Sequence, residues 1–311
     1  VFAIAMPFAG SLMARWGPKK TAMLGGWLVG TGWILASFSP NISILTILYG
    51  VIGGAGVGIV YGCPITVVAK WFPHKSGLAI GLTVMGFGIS ALLIAPLIKT
   101  MIDNPSIGIL NTFLYLGIAF MVVIMLLAQL LSFPPAGWTP AEIKTAFAAT
   151  SAESTPDLSR QAMLKTRNFY ALWVIYTIGC LAGLMAIGIA SPVGTEVAKL
   201  DTTMAALAVS LFAVFNGLGR PIFGALTDKV GPKHAAIVSF TMILGASLLI
   251  FFLGQGNATV YLFAFCVLWM CLGGWLAIAP TATGILFGKK HYAQNYGVVF
   301  TAYGAGAILG T

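Results

Sequence analysis

Arg220 is the only charged side chain well inside any of the long apolar stretches of this chain, and Pro221 follows it. A guanidinium at membrane depth costs about 2.5 to 3.5 kcal/mol on insertion scales, so it is expected to face protein or a water-filled cavity and to meet an anion there. Its planar fork of donors can hold a carboxylate by two parallel hydrogen bonds. Asn216 lies one helical turn earlier on the same face and would add a neutral donor. Pro221 lacks an N–H and would free the carbonyl of Gly217, giving a kinked, locally polar helix. An arginine that snorkels or packs near a helix end is the plainer alternative. Against it, Arg220 lies roughly six residues inside its predicted helix, about 9 Å at the helical rise.

Few other groups could do chemistry in an apolar setting. The seven acidic residues, Asp103, Glu142, Glu153, Asp157, Glu196, Asp201 and Asp228, fall in loops or at span ends, and so do His74, His234 and His291. A proton carried with a substrate would therefore need a group outside these, or the substrate itself. Cys63, Cys180, Cys266 and Cys271 sit in apolar segments as small hydrophobes, without disulfide or metal spacing. No Gly-Lys-Ser/Thr follows the glycine-rich runs, and no nucleophile–base pair is apparent. Neither enzymatic activity nor a cofactor or metal is expected.

The elements that must position Arg220 are membrane helices. The chain of 311 residues is 59% hydrophobic and 7% charged, which excludes an ordinary soluble domain. Spans are predicted at about 1–14, 21–38, 44–69, 76–99, 110–132, 168–192, 203–226, 234–253, 258–287 and 292–311. The fold class is thus an all-α polytopic membrane protein. The net charge of +9 is spread through short loops, which excludes a nucleic-acid surface. Alternate loops hold Arg15, Lys19 and Lys20; Lys70 and Lys75; Lys144, Arg160, Lys165 and Arg167; Lys229 and Lys233; and Lys289 and Lys290. The intervening loops hold Lys99 and Lys199 alone, so the first set is expected on the cytoplasmic side of an inner membrane. Residues 133–167, with Pro134, Pro135, Pro140 and Pro156, read as a cytoplasmic linker between an N-terminal half, 1–132, and a C-terminal half, 168–311.

The halves repeat. Gly10-Ser-Leu-Met-Ala-Arg-Trp-Gly-Pro-Lys-Lys20 aligns without a gap on Gly224-Ala-Leu-Thr-Asp-Lys-Val-Gly-Pro-Lys-His234. Pro64 and Pro280 occupy matching points, and Gly86-Phe-Gly88 parallels Gly304-Ala-Gly306. Same-direction repeats are one of the transporter architectures. The loop pattern G-x-x-x-D-[RK]-x-G-[RP]-[RK], present twice, resembles that of the major facilitator superfamily. Gly224, Asp228, Lys229, Gly231, Pro232 and Lys233 match it. In the first copy Gly10, Arg15, Gly17, Pro18 and Lys19 match, but Ala14 stands where the family has aspartate. The family's aspartate is pictured as gripping a neighbouring helix end, so the first latch is expected to be weaker.

Lys70-Trp-Phe-Pro-His-Lys-Ser-Gly-Leu-Ala79 with Met85-Gly-Phe-Gly88, and Asn295-Tyr-Gly-Val-Val-Phe-Thr-Ala-Tyr-Gly304, resemble segments of the oxalate:formate antiporter family and its monocarboxylate-transporter relatives. The resemblance implies a fold of two pseudo-symmetric six-helix halves. This chain, with about ten helices, would then lack the first helix, part of the second and the last. The resemblance also implies a monomeric, proton-coupled carrier of small monocarboxylates of the lactate, formate or pyruvate type. An anion exchanger of the oxalate/formate type is the alternative. Arg220 would be the anion anchor, with Asn216 beside it. Tyr303 stands where oxalate-carrying members have a lysine, so one carboxylate is expected rather than two; a tyrosine packed between helices is the alternative. Tyr61 is implied at a central cavity, with Trp275 and Phe300 as apolar walls. The partners expected are a small carboxylate, a proton under symport, and the bilayer.

Overall fold

A computed structural model of the protein describes residues 1–135, 138 and 157–310; most of the 133–167 linker, with Glu142, Lys144 and Glu153, and Thr311 lie outside the described residues. Every regular element described is helical. The order is α1 (Phe2–Ala36), α2 (Ile42–Leu45) running into a π-helical stretch (Thr46–Gly53), α3 (Gly54–Trp71), α4 (Ser76–Asp103) and α5 (Gly108–Ala128). After the linker come α6 (Arg160–Met163), α7 (Arg167–Pro192) with a π-helical end (Val193–Val197), α8 (Thr202–Leu253), α9 (Ala258–Phe287), α10 (Tyr292–Val299) and α11 (Thr301–Gly310). Among the described residues, six stretches are long and apolar enough to cross a bilayer, among them Ile42–Trp71, Arg167–Val197 and Ala258–Phe287.

Two pairs of predicted spans are each joined across a single residue. α1 and α8 continue through their motif loops and break their helical geometry only at Gly17 (φ 78°, ψ 172°) and Gly231 (φ 81°, ψ 163°). That backbone region is open to glycine alone, and the proline after each, Pro18 or Pro232, starts the next helix with its φ already set. The same Gly-Pro device at the same repeat position thus replaces the loops expected there. The last predicted span, 292–311, is instead divided at Phe300. α8 runs through Pro221 with helical backbone geometry on both sides of it. Asp201 begins α8, its Oδ1 accepting from Met204 N at 2.9 Å.

The described backbone packs as two compact units that interleave along the chain. The first is Val1–Pro73, Leu97–Thr166 and Thr283–Thr301; the second is His74–Pro96, Arg167–Ala282 and Ala302–Thr311. The start of α4 therefore packs with residues of the C-terminal half, and α10 with residues of the N-terminal half.

Within the first unit, small residues let helix backbones approach closely. A Cβ on Gly26 would fall 2.5 Å from Ile124, and one on Gly56 2.5 Å from Val29 N, which sets α5 and α3 against α1. The second unit has an aromatic core: Phe212 on α8 lies 5.5, 5.6 and 5.7 Å from the rings of Tyr261, Phe265 and Trp269 on α9. Tyr261 completes it by donating its hydroxyl to Ala190 O of α7 at 2.8 Å, so its one polar atom is satisfied where it is buried.

Candidate functional site

Arg220 is 2% exposed, the most deeply enclosed charge among the described residues. Its Nη1 donates to Val84 O of α4 at 2.7 Å, and its Nη2 to Asn216 Oδ1 at 3.1 Å. Asn216 in turn donates Nδ2 to Trp269 O of α9 at 3.1 Å. The guanidinium is thereby fixed from three helices, α8, α4 and α9. It also stands 5.4 Å from the centroid of the Phe87 ring. Two of the five donors of an arginine are engaged. Nε is buried without a hydrogen-bond partner among the described residues. No carboxylate pairs with Arg220 among those residues. A buried cation held by neutral acceptors, with donor capacity to spare, has both the charge and the geometry to take an anion.

Asn216 lies beside Arg220, and it also ties α8 to α9. Its NH2 group donates one hydrogen to the Trp269 carbonyl and its oxygen accepts from Arg220, so it orients the guanidinium and keeps a second N–H beyond these bonds.

The close helix approach that the clasp needs is written in glycines. A Cβ on Gly81 would lie 2.7 Å from Pro221 Cα, and one on Gly88 would lie 2.7 Å from Gly217 Cα and 3.1 Å from Arg220 Nε. Gly77, Gly81 and Gly88 recur at helical spacing along one face of α4. That spacing, together with Val84 and Phe87, is the signal of the crossing that the sequence carries.

The motif loop of the second repeat ends on the same pair of helices. Asp228 accepts from Gly77 N and Leu78 N with its two carboxylate oxygens, each at 2.8 Å. These are first-turn amides of α4, donors with no partner inside their own helix, and a carboxylate there also meets the positive end of the helix dipole. Gly224 lets the backbones touch, since a Cβ on it would run into Gly77 O. Lys229 and Lys233 are exposed beside it. In the first unit Gly10 meets Ala293 O in the same way, Arg15 and Lys19 are exposed, and Ala14 supplies no carboxylate.

The remaining candidates divide between the units. Trp275 and Tyr303 belong to the second unit with Arg220. Trp275 is fully buried, stacked on Tyr176 at 6.2 Å and tilted against Phe240 at 5.1 Å. Tyr303 is half-buried on α11. Tyr61 and Phe300 belong to the first unit, where their rings lie 5.4 Å apart and both meet Phe2, at 5.2 and 5.0 Å.

Apolar helices long enough to cross a bilayer, a motif repeated in parallel copies and a buried cation with no counter-ion among the described residues define a polytopic membrane protein of the secondary-transporter class. The chain belongs to the Major Facilitator Superfamily, whose family model matches residues 1–311. It is 29% identical over 309 residues to the oxalate:formate antiporter of Oxalobacter formigenes, covering 98% of this chain and 70% of that protein. Monocarboxylate transporter 13 of Rattus norvegicus is 26% identical over 315 residues, covering 98% and 68%. The fold is that of the fucose:proton symporter of Escherichia coli, with a TM-score of 0.71, 16% identity, and coverage of 98% of this chain and 78% of that one. The chain is a transporter and not an enzyme.

Proposed function

We propose that this transporter carries a small monocarboxylate of the lactate, formate or pyruvate type across the cytoplasmic membrane by alternating access, with Arg220 as the anion anchor. The observation that carries the reading is the Arg220 clasp: a buried guanidinium aligned by Asn216 and the Val84 carbonyl, its Nε unpartnered and no carboxylate bound to it among the described residues. One positive group matches one carboxylate. Tyr303, at the position where oxalate-carrying relatives have lysine, adds a hydroxyl suited to a 2-hydroxyl or keto oxygen. The similarity to the oxalate:formate antiporter and to monocarboxylate transporter 13 supports the same substrate class. Co-transport of a proton makes monoanion uptake electrically neutral. The motif loops act as latches on the cytoplasmic side, and the protein works as a monomer.

Uptake of labelled lactate into proteoliposomes under an imposed inward-acid pH gradient, with no anion inside, tests this. Accumulation that disappears in Arg220→Ala is expected. A second reading, obligate anion exchange of the oxalate/formate type, is favoured by the lack of a carboxylate beside Arg220 among the described residues to carry a proton. It predicts uptake only when a carboxylate is preloaded.

A further inference from the structure

In the second unit a carboxylate of the motif loop, Asp228, ties the start of α4. The corresponding residue of the first unit is Ala14, and the helix start it faces, that of α10, gets no side-chain cap from His291. Gly10 packs on Ala293 as Gly224 packs on Gly77, so the backbone crossing is the same and the carboxylate alone is missing. A small cleft of about 60 Å³ beside Ala14, lined by Gly10, Lys70, Lys290 and Gln294 among others, marks the room that it would fill.

The turn leading into α10 is nevertheless tied by an acid. Asp157, just ahead of α6, accepts with Oδ1 from Lys289 N at 2.9 Å and from Lys290 N at 3.0 Å. Leu158 extends the tie, its N–H donating to Phe287 O at 3.0 Å and its carbonyl accepting from Asn295 Nδ2 at 2.9 Å. The turn has its own reason to need fixing, since Gly288 sits at φ 83° where α9 ends. So held, Lys289 extends its ammonium to Pro73 O at 2.7 Å.

We infer that the latch of the first unit has been relocated: Asp157 is the positioning residue that holds the α9–α10 turn in place of the acid absent at Ala14. The consequence for transport is an asymmetry. Parting α8 from α4 breaks two charge-assisted hydrogen bonds, whereas parting α1 from α10 breaks none at the motif loop, because the tie comes from the segment ahead of α6. The inference does not depend on which anion is carried.

Amide hydrogen exchange on the purified full-length protein without substrate reads the tie directly. In Asp157→Ala, exchange at Lys289 and Lys290 should quicken by about tenfold, with Asp157→Asn, which keeps an acceptor oxygen, falling between it and the parent. Ala14→Asp, alone or added to Asp157→Ala, should slow exchange at Ala293 and Gln294 by about tenfold as the new carboxylate reaches them. Unchanged exchange at Lys289 and Lys290 in Asp157→Ala overturns the inference. If Asp157→Ala loosens the whole fold, Ala14→Asp in the parent decides instead: no slowing at Ala293 and Gln294 then overturns the inference.

Discussion

The crossing of α8 with α4 and the crossing of α1 with α10 are built alike and equipped differently. In the second unit Gly81 lies against Arg220 and Pro221; in the first, a Cβ on Gly297 would lie 2.6 Å from Met6 O and 2.9 Å from Pro7 Cα. Counted from these paired contacts, Arg220 corresponds to Met6, Asn216 to Phe2, Val84 to Phe300 and Asp228 to Ala14. Where the second crossing has a guanidinium clasped by an amide and a carbonyl, the first has buried Met6 and the aromatic group of Phe2, Tyr61 and Phe300. The shared frame comes from glycine and proline, which set how closely and at what angle the helices meet. Charge is a separate decision laid over that frame. On the proposed reading one crossing takes the anion, while the other offers apolar surface and no motif-loop carboxylate.

Exchanging residues between the crossings tests how separable frame and charge are. Met6→Arg puts a guanidinium among aromatic rings with no Asn216 equivalent to accept from it. The uncompensated charge should cost about 3 to 5 kcal/mol and lower the melting temperature more than any other exchange. If Met6→Arg is tolerated and confers a second anion site, the aromatic crossing is more permissive than its packing implies. Asp228→Ala gives the second crossing the residue of the first. Removing two charge-assisted bonds at the start of α4 should cost about 3 kcal/mol, read as a fall in melting temperature that high salt reproduces only weakly because the site is half-buried. A loss no larger than that of an ordinary surface substitution would mean the α8–α4 latch is idle. The smallest effect is expected at Tyr303→Lys, which adds a second positive group without touching the clasp. The ratio of oxalate to lactate affinity should rise by about tenfold or less. No rise would mean that one cation does not by itself select one carboxylate.

How much of this is legible in the sequence depends on whether the signal is local. The membrane class, the helices and the repeat are readable because span length, the Gly-Pro loops and the glycine spacing are local properties. Arg220 stands out for the same reason, as a charge inside an apolar run. The contacts made by the residue beside it are not settled by a helix alone. Asn216 reads as a donor towards a ligand, and the Trp269 carbonyl, distant in sequence, takes one of its two N–H groups. The Val84 carbonyl is illegible on principle, since any residue type carries one. Asp157 reads as an ordinary loop acid for a similar reason: its partners, Lys289 N and Lys290 N, are backbone groups over a hundred residues away.

The central claim is that Arg220 binds the transported anion and is not an ingredient of folding. Calorimetric titration of lactate into the purified protein and into Arg220→Met, the residue of the other crossing, tests it most directly. The expected result is saturable binding that weakens at least a hundredfold in Arg220→Met, about the loss for a desolvated charge pair, while the melting temperature is kept or raised because an uncompensated buried charge has been removed. Equal lactate affinity in the two proteins would contradict the claim.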